Sequence, residues 1–438
     1  MNSSLFSESF FYFCDSIRRI MQKFLYDIFI LLLKLGTTIG SLFNAKLKLF
    51  VNGRAGTFSK LEDASFDKSD QVAWFHCASL GEFEQARPVL EAFKEKYPDF
   101  KIALSFFSPS GYEVRKNYDK ADVVFYLPYD TKANAVKLLD MLQPRVVFFV
   151  KYDFWYHALR EVNERNIPLV LFSAIFRESQ PFFKNYGGLH RGMLTFFDEI
   201  FVQNEDSKQL LESININHVK VGGDTRCDRV EQIRLGRNDI PVMERFKAED
   251  QLMVVGSSWP SDIEVLAPFM NSMKNKPLKF AIAPHNLKEH EIVEMERLLA
   301  ELNPVRYSSC NEKNDFETHQ VIVIDNFGML SSLYGYAELA YVGGAFNKGL
   351  HNTLEAAVFG IPVFWGDDPT NDKFQEAKDL LKSGGGVVIK DSSELSDIVN
   401  KMIEKPELAQ KAGKASRAYL EKSIGATDLV MEYINKKL

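Results

Sequence analysis

Residues 341–366 read Y-V-G-G-A-F-N-K-G-L-H-N-T-L-E-A-A-V-F-G-I-P-V-F-W-G. The apolar run Leu339 to Val342 stops at Gly343-Gly344, the pattern of a buried strand breaking into a tight turn. A loop through Lys348 and Gly349 leads to His351, Asn352 and Thr353, where an apolar-periodic stretch begins. Asn352 or Thr353 can cap a helix there, since a side-chain oxygen accepts from the orphan amides of a first turn. Gly360 and Pro362 end that helix, and Ile361 to Trp365 reads as the next buried strand. The unit is strand, loop, helix, strand, with glycines and a helix N-terminus at a strand's carboxyl end. Free N–H groups and the positive end of the dipole bind anions at such a place without a metal. Glu355, in the first turn, can accept hydrogen bonds from ribose hydroxyls. The plainer alternative is a helix that only caps itself, with Glu355 offsetting the dipole.

Working outward, a strand over Leu252 to Val255 ends in Gly256-Ser257-Ser258, a second small-residue loop whose amides suit a phosphate. A helix is expected from Asp262. Lys279 to Ala283 forms a strand ending at Pro284-His285, which puts His285 at the equivalent loop of the next strand; a lone loop histidine is more often structural than a ligand. Val321 to Ile324 and Gly386 to Ile389 complete an alternating series, and Ser393 to Leu438 reads as helices broken at Pro406 and near Gly425.

An independent series lies upstream. Strands are expected at Gln71 to Cys77, Lys101 to Phe107, Val123 to Leu127, Arg145 to Val150, Pro168 to Ser173, Glu199 to Gln203 and Val219 to Gly222, with helices between the early ones. Strands alternating with helices imply a parallel sheet with right-handed crossovers. Glu82 follows Gly81 at the first strand-to-helix turn, so it projects where such sheets bind ligands. Its alternative role is a first-turn carboxylate complementing the helix dipole, and Glu84 is a weaker candidate for the same chemistry.

At 438 residues the chain calls for two domains. The boundaries read as an N-terminal segment at 1–50, a first Rossmann-like domain at 51–235 and a linker at 236–250. A second Rossmann-like domain covers 251–405, and C-terminal helices cover 406–438. The expected fold is α/β, two doubly wound domains facing a central cleft. A net charge of −6 argues against general nucleic-acid binding. The four cysteines are scattered, which suggests neither a disulfide framework nor a zinc site. Phe24 to Leu35 is strongly apolar but short for a spanning helix, and Arg18, Arg19, Lys23, Lys34, Lys46, Lys48, Arg54 and Lys60 flank it. That combination suits an anchor on an anionic cytoplasmic leaflet; the alternative is a buried first helix. Walker, G-x-G-x-x-G, H-E-x-x-H, D-x-D and G-x-S-x-G patterns are all absent, against P-loop NTPases, dinucleotide enzymes and metal-dependent glycosyl transfer.

These stretches together resemble the 3-deoxy-D-manno-octulosonic acid (Kdo) transferases of lipopolysaccharide synthesis. The resemblance rests on Trp74-Phe75-His76-Cys77-Ala78-Ser79-Leu80-Gly81-Glu82 and on Gly343-Gly344 through His351-Asn352-Thr353-Leu354-Glu355. Gly222 to Thr225, Gly256 to Ser258, Pro284-His285 and Gly425 to Thr427 support it, from about residue 35 to the C-terminus. It implies a GT-B fold with an N-terminal acceptor domain and a C-terminal donor domain. The implied reaction moves Kdo from CMP-Kdo to a lipid A precursor with inversion, at the cytoplasmic side of the inner membrane, with no cofactor, metal or nucleic acid. Glu82 falls on the family's catalytic base, and Asn352 and Glu355 on its nucleotide-binding motif. The chain departs from the family at Lys151-Tyr152-Asp153, where many members have E-T-E, and at Pro284, where many have Arg. A two-domain sugar-nucleotide epimerase and a non-catalytic nucleotide-binding scaffold at the membrane are the rival readings.

Overall fold

A computed structural model describes residues 3–67, 69–311, 315–346 and 348–438, with side chains from Met21 onward and not at 372 or 373. The chain divides into two compact units, Met1–Arg226 with Gly425–Leu438, and Cys227–Ile424.

The first unit is built on β1 (Gln71–Cys77), β2 (Phe100–Phe106), β3 (Val123–Tyr126), β4 (Pro144–Val150), β5 (Leu169–Ala174), β6 (Glu199–Val202) and β7 (Val219–Val221). They form one parallel sheet in the order β3-β2-β1-β4-β5-β6-β7. Helices cover both faces, so the strands are buried on both sides and read as apolar runs rather than alternations. One face packs Phe75 on Phe148, ring centroids 4.3 Å apart, against the helix Leu80–Lys96. The order reverses between β1 and β4, and the crevice beyond their carboxyl ends is where such sheets take ligands.

The second unit repeats the plan with β8 (Gln251–Ser258), β9 (Leu278–Pro284), β10 (Val305–Arg306), β11 (Val321–Val323), β12 (Leu339–Val342), β13 (Val363–Gly366) and β14 (Gly386–Ile389). The order is β10-β11-β9-β8-β12-β13-β14, again parallel throughout. Its reversal point lies between β8 and β12, the two strands that end in the small-residue loops.

Three boundaries differ from the sequence reading. The stretch expected as a linker at 236–250 carries the helix Pro241–Lys247, close behind the helix Arg226–Leu235, and the units divide at Arg226/Cys227. Their charges are paired rather than solvated: Glu231 accepts from Arg234 at 2.8 and 2.9 Å and from Arg417 at 2.5 and 3.1 Å. The last helix, Ala426–Asn435, belongs to the first unit instead of the C-terminal helical group, because Val430, Met431 and Ile434 pack into the β1 face of its core. The strand expected over Lys101 to Phe107 runs instead over Phe100–Phe106, and the chain is already helix from Pro109, since proline suits a first helical position.

The Glu231 cluster gives a stability prediction. Bonds from Arg234 and then Arg417 hold its carboxyl at about 2. A depressed acid stabilises above its unfolded value near 4.5, and that contribution is lost as pH falls toward 2. Glu231→Gln is expected to cost about 1.5 kcal/mol at neutral pH, the low end for charged pairs because Arg417 is partly exposed. The acid limb of a urea-unfolding series between pH 4.5 and 2 should flatten; an unchanged limb would show that the pairs contribute nothing.

The N-terminal helix, Ser3–Gly40, is part of the first unit's packing. Ile30 is buried in the core, Tyr26 Oη donates to Asp130 at 2.6 Å, and His157 Nε2 donates to Asp27 at 2.6 Å. Its outer side is apolar as well: Phe24, Leu31, Leu32 and Leu35 are each more than half exposed, followed by Leu42 and Phe43. No helix among the described residues is long and apolar enough to cross a membrane. Arg18 and Arg19 of the basic flank lie outside the residues whose side chains are described.

Candidate active site

The first unit presents Glu82 at the third position of the helix Leu80–Lys96, directly beyond the carboxyl end of β1. Ser79-Leu80-Gly81-Glu82 is a capping-box sequence, but the Ser79 hydroxyl turns to the Glu82 carboxylate instead of to the helix backbone. Glu82 is partly exposed, and no ion pair to a cation is found for it among the described residues. Glu84, one position along the same turn, is instead bound by Arg115 at 2.8 Å.

Beneath Glu82 lies a buried polar chain that sequence reasoning did not assemble. The Trp74 indole can only donate, and it gives its N–H to Ser105 Oγ at 2.8 Å. Ser105 in turn gives its hydrogen to His76 Nδ1 at 2.8 Å, which leaves Nε2–H to donate to Asp153 Oδ2 at 2.8 Å. Trp155 Nε1–H meets the same oxygen at 3.0 Å. His76 comes from β1 and Asp153 from the segment after β4, the two strands flanking the reversal point. Register pairing of β1 with β4 is what brings residues so distant in sequence together. Burial pushes the Cys77 thiol well up, and the charges of Glu82, Asp153 and Glu84 push it further, so all three carboxylates bear on one spot.

The second unit gathers most of the other predicted residues. Gly256, Ser257 and Ser258 do not form a turn; they continue β8, with Ser257 in the left-handed region at φ 53°. Gly343 lies against them so closely that a β-carbon there would sit 2.4 Å from the Ser257 carbonyl oxygen. Gly344 adopts φ 87°, which lets the chain double back so that His351 N–H reaches Gly343 O at 3.2 Å. Three rings close the floor: Trp259 stacks on His285 at 4.3 Å, His285 on His351 at 4.6 Å, and Trp259 Nε1–H donates to His351 Nε2 at 3.1 Å. Burial, with His285 alongside, lowers His351 to about 4, so its ring is neutral at pH 7. Lys348 places its ammonium 5.4 Å from the Trp259 ring.

Two expectations change here. The helix after Thr353 is the single turn Leu354–Ala357, closed by Gly360 at φ 71°, so it has little of the dipole a long helix offers an anion. Many loop amides are also committed: those of Gly343, Gly344, Lys348, Leu350 and His351 all donate within the protein. What remains is a pair of buried hydroxyls, Ser258 Oγ and Thr353 Oγ1, without a partner among the described residues. Buried polar atoms of this kind call for a partner. Thr353 holds the cap position without a side-chain cap bond, while Asn352, one residue earlier, accepts from Leu354 N at 3.2 Å and donates its amide to Glu355 at 3.1 Å.

The residue that fixes this arrangement, Asp262, was read only as a helix start. It accepts from Trp259 N at 2.8 Å, Gly344 N at 2.9 Å and Tyr341 Oη at 2.9 Å, so one buried carboxylate fastens both loops. The signal was present as Trp259-Pro260-Ser261-Asp262, proline at the first helical position and an acid at the third. Among the described residues no group of three or more His, Cys, Asp or Glu side chains is placed to hold a metal.

The architecture and these strand-end sites define a two-unit α/β protein of the GT-B class. Solved structures agree at the level of fold: UDP-GlcNAc 2-epimerase from Neisseria meningitidis aligns with a TM-score of 0.58 at 17% identity, covering 84% of this chain and 100% of that one. In sequence, a family model described as 3-Deoxy-D-manno-octulosonic-acid transferase (kdotransferase) matches residues 51–229. A 3-deoxy-D-manno-octulosonic acid transferase of Chlamydophila psittaci is 26% identical over 404 residues, 89% of this chain and 90% of the relative. One from Aquifex aeolicus is 25% identical over 362 residues, 80% of this chain and 92% of the relative. Residues 51–229 thus match the Kdo transferase family model, and the two relatives extend that likeness over most of the chain.

Proposed function

We propose that the protein transfers Kdo from CMP-Kdo to a lipid A precursor, with inversion at the anomeric carbon and Glu82 as general base. The observation that carries this is Glu82 itself: the stretch 74–82 lies within the family match and ends on a partly exposed carboxylate bonded to the Ser79 hydroxyl. In the step, the acceptor oxygen bonds to the anomeric carbon and gives its proton to Glu82, while CMP leaves with the electrons of the broken bond. The second unit takes the donor: Ser258 and Thr353 offer hydroxyls, Lys348 a counter-charge, and Glu355 an acceptor for ribose hydroxyls. The test is incubation with CMP-Kdo and a lipid A precursor, scored by CMP release and a heavier lipid. The epimerase likeness is one of fold alone.

Donor binding is expected to raise the melting temperature, measured in the presence of a chelator. At a hundredfold excess over its dissociation constant CMP stabilises by about 2.7 kcal/mol, or about 5–10 °C for a unit of this size. Asn352→Ala and Glu355→Ala should shrink that shift and barely alter the ligand-free transition. An undiminished shift in both would place the nucleotide elsewhere.

The outward apolar residues of the N-terminal helix, together with Lys23, Lys34, Lys46 and Lys48, suit a helix lying in the interface of an anionic leaflet. Those features support a reading of the protein as bound to the cytoplasmic face of the inner membrane. Deleting the helix is a poor test, because Ile30, Tyr26 and Asp27 are built into the first unit. Exchanging exposed Phe24, Leu31 and Leu35 for Gln leaves those contacts alone and is expected to release the protein from membranes in moderate salt. Retention equal to wild type would reject the interfacial role.

A further inference from the structure

A cavity of about 570 Å³ opens in the first unit, with Asp153 among its lining residues. Its walls include Phe29, Phe154, Trp155, Phe182, Leu189 and Met193. The size falls in the range of roughly 300–1,000 Å³ of sites that enclose a whole ligand. The surface the cavity exposes is mainly apolar, although Gln22, Asp153, Gln180 and His190 contribute polar atoms, and among the described residues no Lys or Arg lines it to meet a phosphate. The rim decides the occupant. Leu25 and Phe29 line the cavity, and both are also more than half exposed on the outer apolar side of the N-terminal helix. A hydrocarbon chain can therefore pass from a lipid phase into the cavity without crossing water. At the polar end is Asp153, whose Oδ2 is taken by His76 and Trp155 and whose Oδ1 has no partner among the described residues.

We propose that this cavity seats one acyl chain of the acceptor lipid, with Asp153 receiving a hydrogen bond from a hydroxyl of the same molecule. The proposal rests on the transferase reading and adds to it where the lipid portion lies. It explains why the N-terminal helix is both packed and apolar outside: the helix is one wall of a lipid entrance. Each two carbons removed from a chain that fills the cavity should weaken binding by about tenfold.

Two measurements test it. The first compares transfer to an acylated lipid A precursor with transfer to the same disaccharide after its chains are removed by alkali. Wild type should prefer the acylated acceptor in kcat/KM, and Leu189→Trp, which fills the cavity, should reduce that preference about tenfold or more. Tyr186→Ala, at the exposed rim, serves the same comparison if the filled variant does not fold. An unaltered preference in the variants overturns the proposal. The second uses no turnover: tryptophan fluorescence is followed in detergent micelles containing the acceptor lipid with brominated chains. Quenching is expected in wild type and should be largely lost in Trp155→Phe. Equal quenching by brominated phosphatidylethanolamine, or none by the acceptor, overturns the proposal. Absence of transfer to either acceptor alongside Trp155 quenching would instead defeat the transferase reading and keep the chain site.

Discussion

Glu82→Gln is expected to slow Kdo transfer by about 10²- to 10⁴-fold while leaving CMP-induced stabilisation intact. Glutamine keeps the size and can still accept the Ser79 hydroxyl, so the start of the helix Leu80–Lys96 should survive. What is lost is the capacity to take a proton from the acceptor hydroxyl at neutral pH. If the carboxylate served only the helix dipole, the change would cost about 0.3–1 kcal/mol of stability and spare turnover. The two cases separate in a paired measurement of transfer rate and CMP melting shift on wild type and variant. The nucleotide response is the internal control, because the proposed donor contacts are in the other unit. Near-normal transfer would remove Glu82 from the mechanism. The role would then pass to Asp153 sooner than to Glu84, whose carboxylate is occupied by Arg115.

The elements most legible in the sequence were those where an apolar run meets glycine or proline. Gln71–Cys77, Leu339–Val342 and Gly386–Ile389 have the bounds that their residues imply. Strands buried on both faces are uniformly apolar, so their ends are marked by the first turn residue. The same rule misleads at Gly256-Ser257-Ser258. Small residues there mean close approach of the Gly343 loop, not a turn, and only the second strand's position shows it. The short helix at Leu354 was overread because periodicity continues through Val358 and Phe359, although Gly360 and Pro362 stop the backbone early. Contacts set by sheet order were the least legible. His76 and Asp153 lie on neighbouring strand ends 77 positions apart, and nothing local marks them as partners.

Asp262→Ala is expected to destabilise the second unit strongly. The carboxylate is fully buried, and burial pushes its pKa up while bonds from Gly344, Trp259 and Tyr341 oppose that. Removing it strands two backbone N–H groups and a phenol, each worth about 1–3 kcal/mol when left buried and unpaired. Some of this is offset, because the carboxylate's own burial cost disappears, so a net loss of about 3 kcal/mol is the expectation. That corresponds to a fall of about 6–12 °C in the melting of a unit this size. Asp262→Asn makes the comparison informative. Its amide oxygen can keep the bonds from Trp259 N and Gly344 N, while its NH₂ can donate to the Tyr341 oxygen. The asparagine variant should therefore retain most of the stability and part of the CMP shift, and the alanine variant should lose the shift even below its own melting point. Equal damage from both would mean that the charge, not the three hydrogen bonds, holds the two loops together. Near-wild-type melting of the alanine variant would show that the loops pack without Asp262, leaving the Trp259, His285 and His351 stack as their main tie.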